Sequence, residues 1–351
     1  MKQNASANLK NKKQIFLLAA CLLIAIIGFK AYLDLFSPNV KEIGFKKEAA
    51  IYIYPSRQLD EVFKQLREGG FLQNQASFER LAKWVQLDQK LKTGKYILSE
   101  NMSNAAIIKM LYKGRHQPVD VVFKYAENTE EIASFFSKQL MIDSSSLQNL
   151  LADTAYLSSL GMNKETIVAL FIPNTYNFYW NTDVLSLLAR MEKEYQQFWS
   201  TARINKAMDL QLTKIEVSIL ASIVQKESNK VDEMPTIAGV YLNRMRVGMP
   251  LQADPTILFA WKDKTIKRVT SLHTAIQSPY NTYTQLGLPP GPICTPSIQA
   301  LDAVLNAGQH KYLYFCAKED FSGYHSFAQS FEQHKQNATR YQQALNRRNI
   351  Y

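Results

Sequence analysis

An apolar run near the N-terminus limits this chain's possible architectures more than any other feature. Residues 15–29 carry no charge, and a polar, lysine-rich segment precedes them. As an α-helix this run spans about 22 Å, which is shorter than the roughly 30 Å hydrocarbon core of a bilayer. Extending the helix to residues 14–36, with Lys30 reaching the interface, gives about 34 Å. The sequence therefore predicts one transmembrane helix over residues 14–36, after a head at 1–13.

Two other N-terminal signals fit this run less well. A cleaved signal peptide needs small residues after the apolar stretch, but residues 29–32 read Phe-Lys-Ala-Tyr. Lipidation at Cys21 conflicts with the short apolar stretch before it and with the run's continuation after it. The positive-inside rule predicts a cytoplasmic head and an external body, since the head contains Lys2, Lys10, Lys12 and Lys13. Lys41, Lys46 and Lys47 weaken that bias.

Composition excludes several classes of protein and indicates the kind of partner. Of the 351 residues 46% are hydrophobic and 20% charged, which excludes wholesale disorder and a polytopic membrane protein. Three cysteines cannot form a disulfide framework. The net charge of +11 suits an anionic partner. An external body argues against nucleic acid and favours an acidic wall polymer or membrane surface.

The body is predicted to be α+β and to contain two domains after a linker at 37–48. Residues 49–125 read strand, helix, helix, strand, and then a helix capped by Ser103 and a final strand. This order resembles the LysM-like module of cell-wall proteins. Residues 126–351 read as a mostly helical domain with short strands. Its aromatic run at 171–180 suits either sugar stacking or packing beside the core.

One helix carries the best candidate for catalysis. A capping box of Thr213 and Glu216 opens it, and Leu220, Ile223 and Val224 form an apolar stripe. Glu227 is the next position on that stripe, so its carboxyl group should be desolvated and its pKa raised. A protonated carboxyl near neutral pH can act as a general acid on a glycosidic oxygen. Glu216 lies about 16 Å away along the axis, too far to be a second catalytic carboxylate.

Several sequence blocks downstream carry a family resemblance. Glu227-Ser228 resembles the Glu-Ser pair of lysozyme-like lytic transglycosylases. The blocks ASIVxKE, NRxxxGMxLQxDPT, YNTY, GLPPGxI and YLYF…HxF follow one another over about residues 213–335. Together they resemble the endolytic murein transglycosylase family (MltG/YceG-like), whose layout also includes an N-terminal anchor and a LysM-like module.

The resemblance implies a lyase that cleaves MurNAc-GlcNAc bonds within peptidoglycan strands and leaves 1,6-anhydro-MurNAc ends, limiting strand elongation. Glu227 would be the single catalytic carboxylate, as acid and then as base. The predicted substrate-binding residues are Ser228, Gln252, Asp254, Tyr280, Asn281, Thr282, Tyr283 and Gly291. Gly291 is expected to allow close approach of glycan or of the chain itself. The expected location is a bacterial cytoplasmic membrane, single-pass, with the catalytic domain outside and wall-synthesis enzymes as possible partners.

Two other functions stay open at this point. A muramidase-type hydrolase would use Glu227 as acid and Asp254 as base. A non-catalytic glycan-binding scaffold would need neither. No cofactor is expected, and no metal either, because the chain has no HExxH sequence and His310, His325 and His334 lack paired cysteines. The sequence leaves open whether Cys294 and Cys316 pair.

Overall fold

The computed structural model describes residues 2–42, 49–266 and 268–348, which form a mixture of helices and short strands. The α-helices are α1 Lys2–Phe36, α2 Leu59–Gly69, α3 Gln75–Trp84, α4 Asn104–Lys113, α5 Thr129–Gln139, α6 Ser144–Ala152, α7 Thr154–Ser159, α8 Val184–Phe198, α9 Thr201–Asp209, α10 Lys214–Glu227, α11 Met234–Arg246, α12 Asp254–Trp261, α13 Ile298–Leu305 and α14 Phe331–Arg347. The strands are β1 Ala50–Ile53, β2 Gly94–Ile97, β3 Pro118–Phe123, β4 Asn174–Tyr179, β5 Tyr314–Ala317 and β6 His325–Ala328. Short 3₁₀ helices lie at Leu87–Lys90, Ile167–Leu170 and His273–Ala275.

The strands pair as three two-stranded sheets, β1–β2, β3–β4 and β5–β6. The chain divides into two units. Unit 1 comprises Met1–Val119 and Asn177–Asn181, and unit 2 comprises Asp120–Tyr176 and Thr182–Tyr351. The α+β class predicted from the sequence is confirmed. The division at 119/120 lies six residues before the domain boundary predicted from the sequence. Asn177–Asn181, which are the last residues of β4 and the two that follow it, belong to unit 1.

Helix α1 is long, and its part from Lys13 to Phe36 is apolar and largely exposed. Lys13–Phe36 is long and apolar enough to cross a membrane, a property that signal sequences near an N-terminus share. Large apolar side chains along it, such as Phe16, are exposed. Its last turn contacts the rest of unit 1, where the Asn104 side chain donates to the Asp34 carbonyl oxygen at 2.7 Å and Arg80 pairs with the Asp34 carboxylate at 3.4 Å. The predicted head at 1–13 begins this helix, except for Met1, which lies outside the described residues.

Unit 1 builds its core on the antiparallel pair β1–β2. The register runs from Ala50 opposite Ile97 to Ile53 opposite Gly94, and α2 and α3 connect the two strands. Ile51, Ile53 and Tyr96 are buried in this core. Val40 is fully buried in the same core, so the first part of the predicted linker at 37–48 packs as part of the unit. Residues 43–48 of that linker lie outside the described residues.

Unit 2 is organised around α10. The capping box predicted for Thr213 and Glu216 is present, with Thr213 N–H donating to the Glu216 carboxylate at 2.8 Å. Every residue from Val217 to Val224 is buried. The prediction that only the stripe of Leu220, Ile223 and Val224 is buried is therefore wrong. The helix is enclosed on all faces because α9, α11, α12, α13 and the 3₁₀ helix at Ile167–Leu170 surround it.

The aromatic run at 171–180 contains β4, an element that the sequence did not identify. Within unit 2 Phe171 and Tyr176 are buried, and Phe171 packs against Phe136 with ring centres 6.0 Å apart. For these two side chains the structure favours core packing, because their rings are enclosed by protein. Exposed and buried positions alternate along β4. The sequence does not show this alternation, because aromatic residues occupy both kinds of position.

Candidate active site

Glu227 is the last residue of α10, at the point where the buried helix ends. Ser228 follows in extended conformation and its backbone N–H still donates to Val224, which closes the helix. The Glu227 side chain is half-buried. A helix that is enclosed over two turns and then stops fixes the position of its final side chain. The sequence placed Glu227 at this helix end, and the structure confirms that placement.

The Glu227 carboxyl group is poised to hold a proton near neutral pH. Desolvation raises the pKa of Glu227 to about 7, and the negative charge of Asp254 adds to the rise. Two groups act in the opposite direction. The Tyr241 hydroxyl donates to Glu227 Oε1 at 2.6 Å, and the positive charge of Arg244 favours the carboxylate. The balance keeps both protonation states accessible around pH 7.

Helix α11 supplies two residues that the sequence did not single out, Tyr241 and Arg244. They are three positions apart and therefore share a face of the helix. The Tyr241 ring packs edge-on against Phe315, with centres 5.9 Å apart. The buried Arg244 guanidinium donates to the carbonyl oxygens of Leu251 at 2.6 Å and Leu313 at 2.7 Å. Arg244 thus fixes the loop before α12 and the segment before β5 beside Glu227.

Asp254 opens α12 and pairs with Tyr283. The Tyr283 hydroxyl donates to Asp254 Oδ1. Burial, together with the neighbouring carboxylates, raises the pKa of Tyr283, so its hydroxyl stays protonated and remains a donor. The Asp254 side chain is exposed. Glu227, Tyr241, Asp254 and Tyr283 therefore form one electrostatically coupled cluster, since the pKa values of Glu227, Tyr241 and Tyr283 are each shifted by other members.

The other predicted binding residues of the 280–283 segment support the loop. Both Asn281 and Thr282 are buried. Asn281 donates to the carbonyl oxygens of Thr274 and Ile276 at 2.9 and 2.8 Å. The Thr282 hydroxyl accepts from Ala253 N–H at 3.0 Å. Their polar atoms therefore join this segment to its neighbours, and the prediction that they contact substrate stays a prediction.

Gln252 and Tyr280 flank the same loop. Gln252 is exposed and adopts a left-handed backbone conformation, with φ of 51°. Its N–H donates to the Thr282 carbonyl oxygen at 2.9 Å, which leaves the side chain free to extend outward. The Tyr280 ring packs on Phe259 of α12, with centres 4.8 Å apart. Both remain candidates for substrate contact.

Gly291 is explained by contact with the chain itself. A Cβ atom at this position would overlap the backbone carbonyl oxygen of Glu165. The segment around it is attached to α10, because Ser222 accepts from Ile293 N–H at 3.0 Å and Gln225 accepts from Ser297 N–H at 2.6 Å. The sequence left open whether Gly291 allows a glycan or the chain itself to come close. The structure shows a close approach of the chain, at Glu165.

A second polar network lies directly behind Ser228. The Ser228 hydroxyl donates to the buried Glu233 carboxylate at 3.2 Å. His325 of β6 also contacts the Glu233 carboxylate, through its backbone N–H and its Nδ1 atom, each at 2.7 Å. Ser228 is buried, so its predicted contact with substrate also stays a prediction. No pattern in the sequence joins Glu233 to His325, since they are 92 positions apart.

Metal and disulfide chemistry have no assembled site in the part of the chain that the structure describes. That part contains no group of three or more His, Cys, Asp or Glu side chains able to hold an ion. His310 contacts the Thr236 carbonyl oxygen, and His334 stacks on Tyr314. Cys294 and Cys316 are both free thiols.

With this geometry described, the family of the chain follows from its match to known proteins. A model of the YceG-like family matches residues 51–340. The chain belongs to the YceG-like family. A crystal structure of a YceG-like protein from Listeria monocytogenes has the same fold, with a TM-score of 0.57, 24% identity, and coverage of 82% of this chain and 97% of that one.

Two relatives of this YceG-like chain are named endolytic murein transglycosylase. The protein of Streptococcus pneumoniae strain D39 is 27% identical over 360 residues, covering 92% of this chain and 63% of its own length. That of Bacillus subtilis strain 168 is 31% identical over 182 residues, covering 51% of this chain and 49% of its own length. The chain therefore spans less than two thirds of the length of these relatives.

Proposed function

We propose that this YceG-like protein is an endolytic lytic transglycosylase of peptidoglycan, a lyase that cleaves MurNAc-GlcNAc bonds within glycan strands. One observation carries the proposal: the Glu227 carboxyl group lies at the end of a buried helix beside the Tyr241 hydroxyl, where desolvation raises its pKa to about 7. A single group that can both donate and accept a proton near pH 7 is what this reaction requires. The names of the two relatives support the same substrate class.

In the proposed reaction, Glu227 first protonates the oxygen that leaves with the GlcNAc residue. The resulting carboxylate then takes the proton of the muramic C6 hydroxyl, whose oxygen attacks C1 of the same sugar. The glycosidic C–O bond breaks, the 1,6-anhydro C–O bond forms, and the proton count of Glu227 is restored. The nucleophile belongs to the substrate, so the entropy cost of placing a water molecule is avoided.

The groups around Glu227 have defined roles in this proposal. Tyr241 orients the carboxyl group through its hydrogen bond, and Arg244 stabilises the carboxylate formed after the first step. Asp254, Tyr283, Gln252 and Tyr280 would line the sugar site, and Ser228, Asn281, Thr282 and Gly291 would shape it.

The product mass tests the proposal directly. Purified strands are incubated with the full-length protein and the new ends are analysed by mass spectrometry. Ends that lack the mass of one water are expected. A reducing end would instead identify the second candidate, a muramidase-type hydrolase, which the exposed carboxylate of Asp254 near Glu227 favours as a possible base for water.

For location, we propose that α1 anchors the protein in the bacterial cytoplasmic membrane with unit 2 outside. The exposed apolar length of Lys13–Phe36 and the lysines before it support this topology. The β1-α2-α3-β2 order with antiparallel strands supports the LysM-like assignment of unit 1. Enzymes that synthesise new strands at the same membrane would be its partners.

A further inference from the structure

Unit 2 contains a cavity of about 590 Å³ to which the proposed reaction assigns no role. Its size falls within the range of about 300–1,000 Å³ that is typical of small-ligand sites. It is lined by the residues that lead into α5 and its first turn, the last turn of α10, α12, the segment after α12, and Ile293. The lining residues are Glu127, Asn128, Glu130, Lys226, Pro255, Leu258, Phe259, Lys262, Asp263, Lys264, Ile266 and Ile293.

Most of the charges in this cavity already have partners. Lys226 pairs with Glu127 at 2.8 Å, and Lys264 pairs with Glu127 at 3.6 Å and with Glu131 at 3.1 Å. Asp263 accepts from the backbone and the hydroxyl of Thr265. Across the described chain, Lys262 and Glu130 form no ion pair. Among the described residues that line the cavity, Lys262 therefore offers an unpaired cation, and Glu130 offers a carboxylate whose hydrogen bond comes from the adjacent Thr129 hydroxyl at 3.4 Å, above an apolar wall.

Lys262 occupies a backbone position that favours glycine. It caps the C-terminus of α12 in the left-handed region, with φ of 55° and ψ of 21°. The corresponding residues after α2 and α4 are Gly70 and Gly114. A non-glycine residue in this region costs about 1 kcal/mol. Retaining lysine here brings a positive charge to the rim of the cavity, which a glycine could not do.

The cavity lies next to the proposed reaction centre in the chain. Lys226 immediately precedes Glu227, and Pro255 immediately follows Asp254. A strand held with its muramic acid at Glu227 would direct the substituent of that sugar towards a neighbouring surface. In peptidoglycan this substituent is a short peptide with carboxylates, methyl groups and one free amine.

We propose that this cavity binds the peptide attached to muramic acid, an inference that rests on the proposed function. Lys262 pairs with a peptide carboxylate, Glu130 with the amine of the diamino acid, and the wall of Leu258 and Phe259 with the alanine methyl groups. The protein thereby prefers strands that still carry their peptides over stripped ones.

Binding to a protein that cannot cleave tests this preference. Full-length Glu227→Gln is titrated by calorimetry with a soluble disaccharide that carries its tetrapeptide, and then with the same disaccharide without peptide. The peptide is expected to tighten binding about tenfold, as one charge-assisted hydrogen bond would. Adding Lys262→Gly should remove that gain. Glycine is favoured at this backbone position, so loss of folding cannot explain the result.

The control is Lys193→Ala in the same background, which removes an exposed lysine of α8 outside the cavity. It should keep the full gain from the peptide. Equal binding of the two ligands, or a gain that survives Lys262→Gly, would overturn the peptide site. The product-mass experiment with the wild-type protein is independent of this titration, so failure of the peptide site and failure of the proposed function remain distinguishable.

Discussion

At the scale of single residues, the proposed function assigns the chemistry to the carboxyl group of Glu227. A glutamine in its place keeps the shape of the side chain and can still accept the hydrogen bond from the Tyr241 hydroxyl, but its amide cannot transfer a proton. We expect Glu227→Gln to lower the rate of strand cleavage by about 100- to 10,000-fold. Cleavage is measured by chromatography of the released fragments, with circular dichroism to confirm folding. Full complementation of a strain lacking the gene by this variant would instead support the non-catalytic scaffold.

The raised pKa of Glu227 also predicts how stability changes with pH. The folded protein holds this proton up to pH 7, whereas the unfolded chain releases it near its ordinary pKa of 4.5. The folded state therefore binds more protons between these values, and the wild-type protein loses stability as the pH rises from 4.5 through 7. The full shift corresponds to about 3 kcal/mol.

We therefore expect the free energy of unfolding of Glu227→Gln to exceed that of the wild type at pH 9. At pH 4.5 the difference between the two proteins should be smaller. Urea titrations of both proteins at the two pH values measure this difference. An unchanged difference between the proteins across this range would show that Glu227 is not desolvated.

Tyr241 lowers the pKa of Glu227, so removing its hydroxyl should move the pH profile. The hydrogen bond at 2.6 Å favours the carboxylate, and in Tyr241→Phe the proton is held more tightly. We expect the alkaline limb of kcat/KM, which reports loss of the protonated acid, to move up by about one pH unit. Tyr195→Phe, a buried tyrosine of α8, is the matched control and should leave the limb in place. A downward shift would contradict this reading of the pair.

At the scale of elements, rules that use neighbouring residues predicted where helices end, but they did not predict the hydrogen-bond networks between side chains. The capping box of Thr213 and Glu216 lies within four residues, so the sequence alone identified the start of α10. The pairs Asp254–Tyr283 and Glu233–His325 join residues 29 and 92 positions apart, and only tertiary packing creates them. The sequence therefore placed Glu227 at the end of α10 and named Asp254 and Tyr283 as candidates, but it did not single out Tyr241, Arg244 or the network behind Ser228.

The segment at 289–297 shows that contact between elements fixes the conformation of a loop. An alanine at Gly291 would overlap the Glu165 carbonyl oxygen, so Gly291→Ala must displace backbone. We expect it to destabilise the protein by about 1–3 kcal/mol, the usual cost of overpacking. The control is Gly308→Ala, whose Cβ would lie 3.2 Å from a His310 side-chain atom and 3.5 Å from the nearest backbone atom. Urea unfolding compares the two variants, and equal stabilities would contradict the crowding argument.

At the scale of the whole molecule, the N-terminal helix contains both the proposed membrane anchor and contacts of the folded unit. Its apolar part is exposed along most of its length, whereas its last turn contacts the rest of unit 1 through Asp34, Asn104 and Arg80. A truncation placed at the end of the helix would therefore remove contacts of the folded unit together with the proposed anchor. A cut before Lys30 separates the two, because it removes the uncharged run and keeps Asp34.

We expect a protein that begins at Lys30 to remain in solution and to keep its thermal transition, while the full chain stays with lipid vesicles on sedimentation. A protein that begins after Phe36 should unfold at lower temperature, since it lacks the 2.7 Å hydrogen bond between Asn104 and the Asp34 carbonyl oxygen. The Asn104 side chain is buried and also donates to the Ser77 hydroxyl, so loss of the bond to Asp34 leaves a buried polar group without one of its partners, at a cost of about 1–3 kcal/mol. Sedimentation of the Lys30 protein with vesicles would show that membrane binding does not depend on the apolar run.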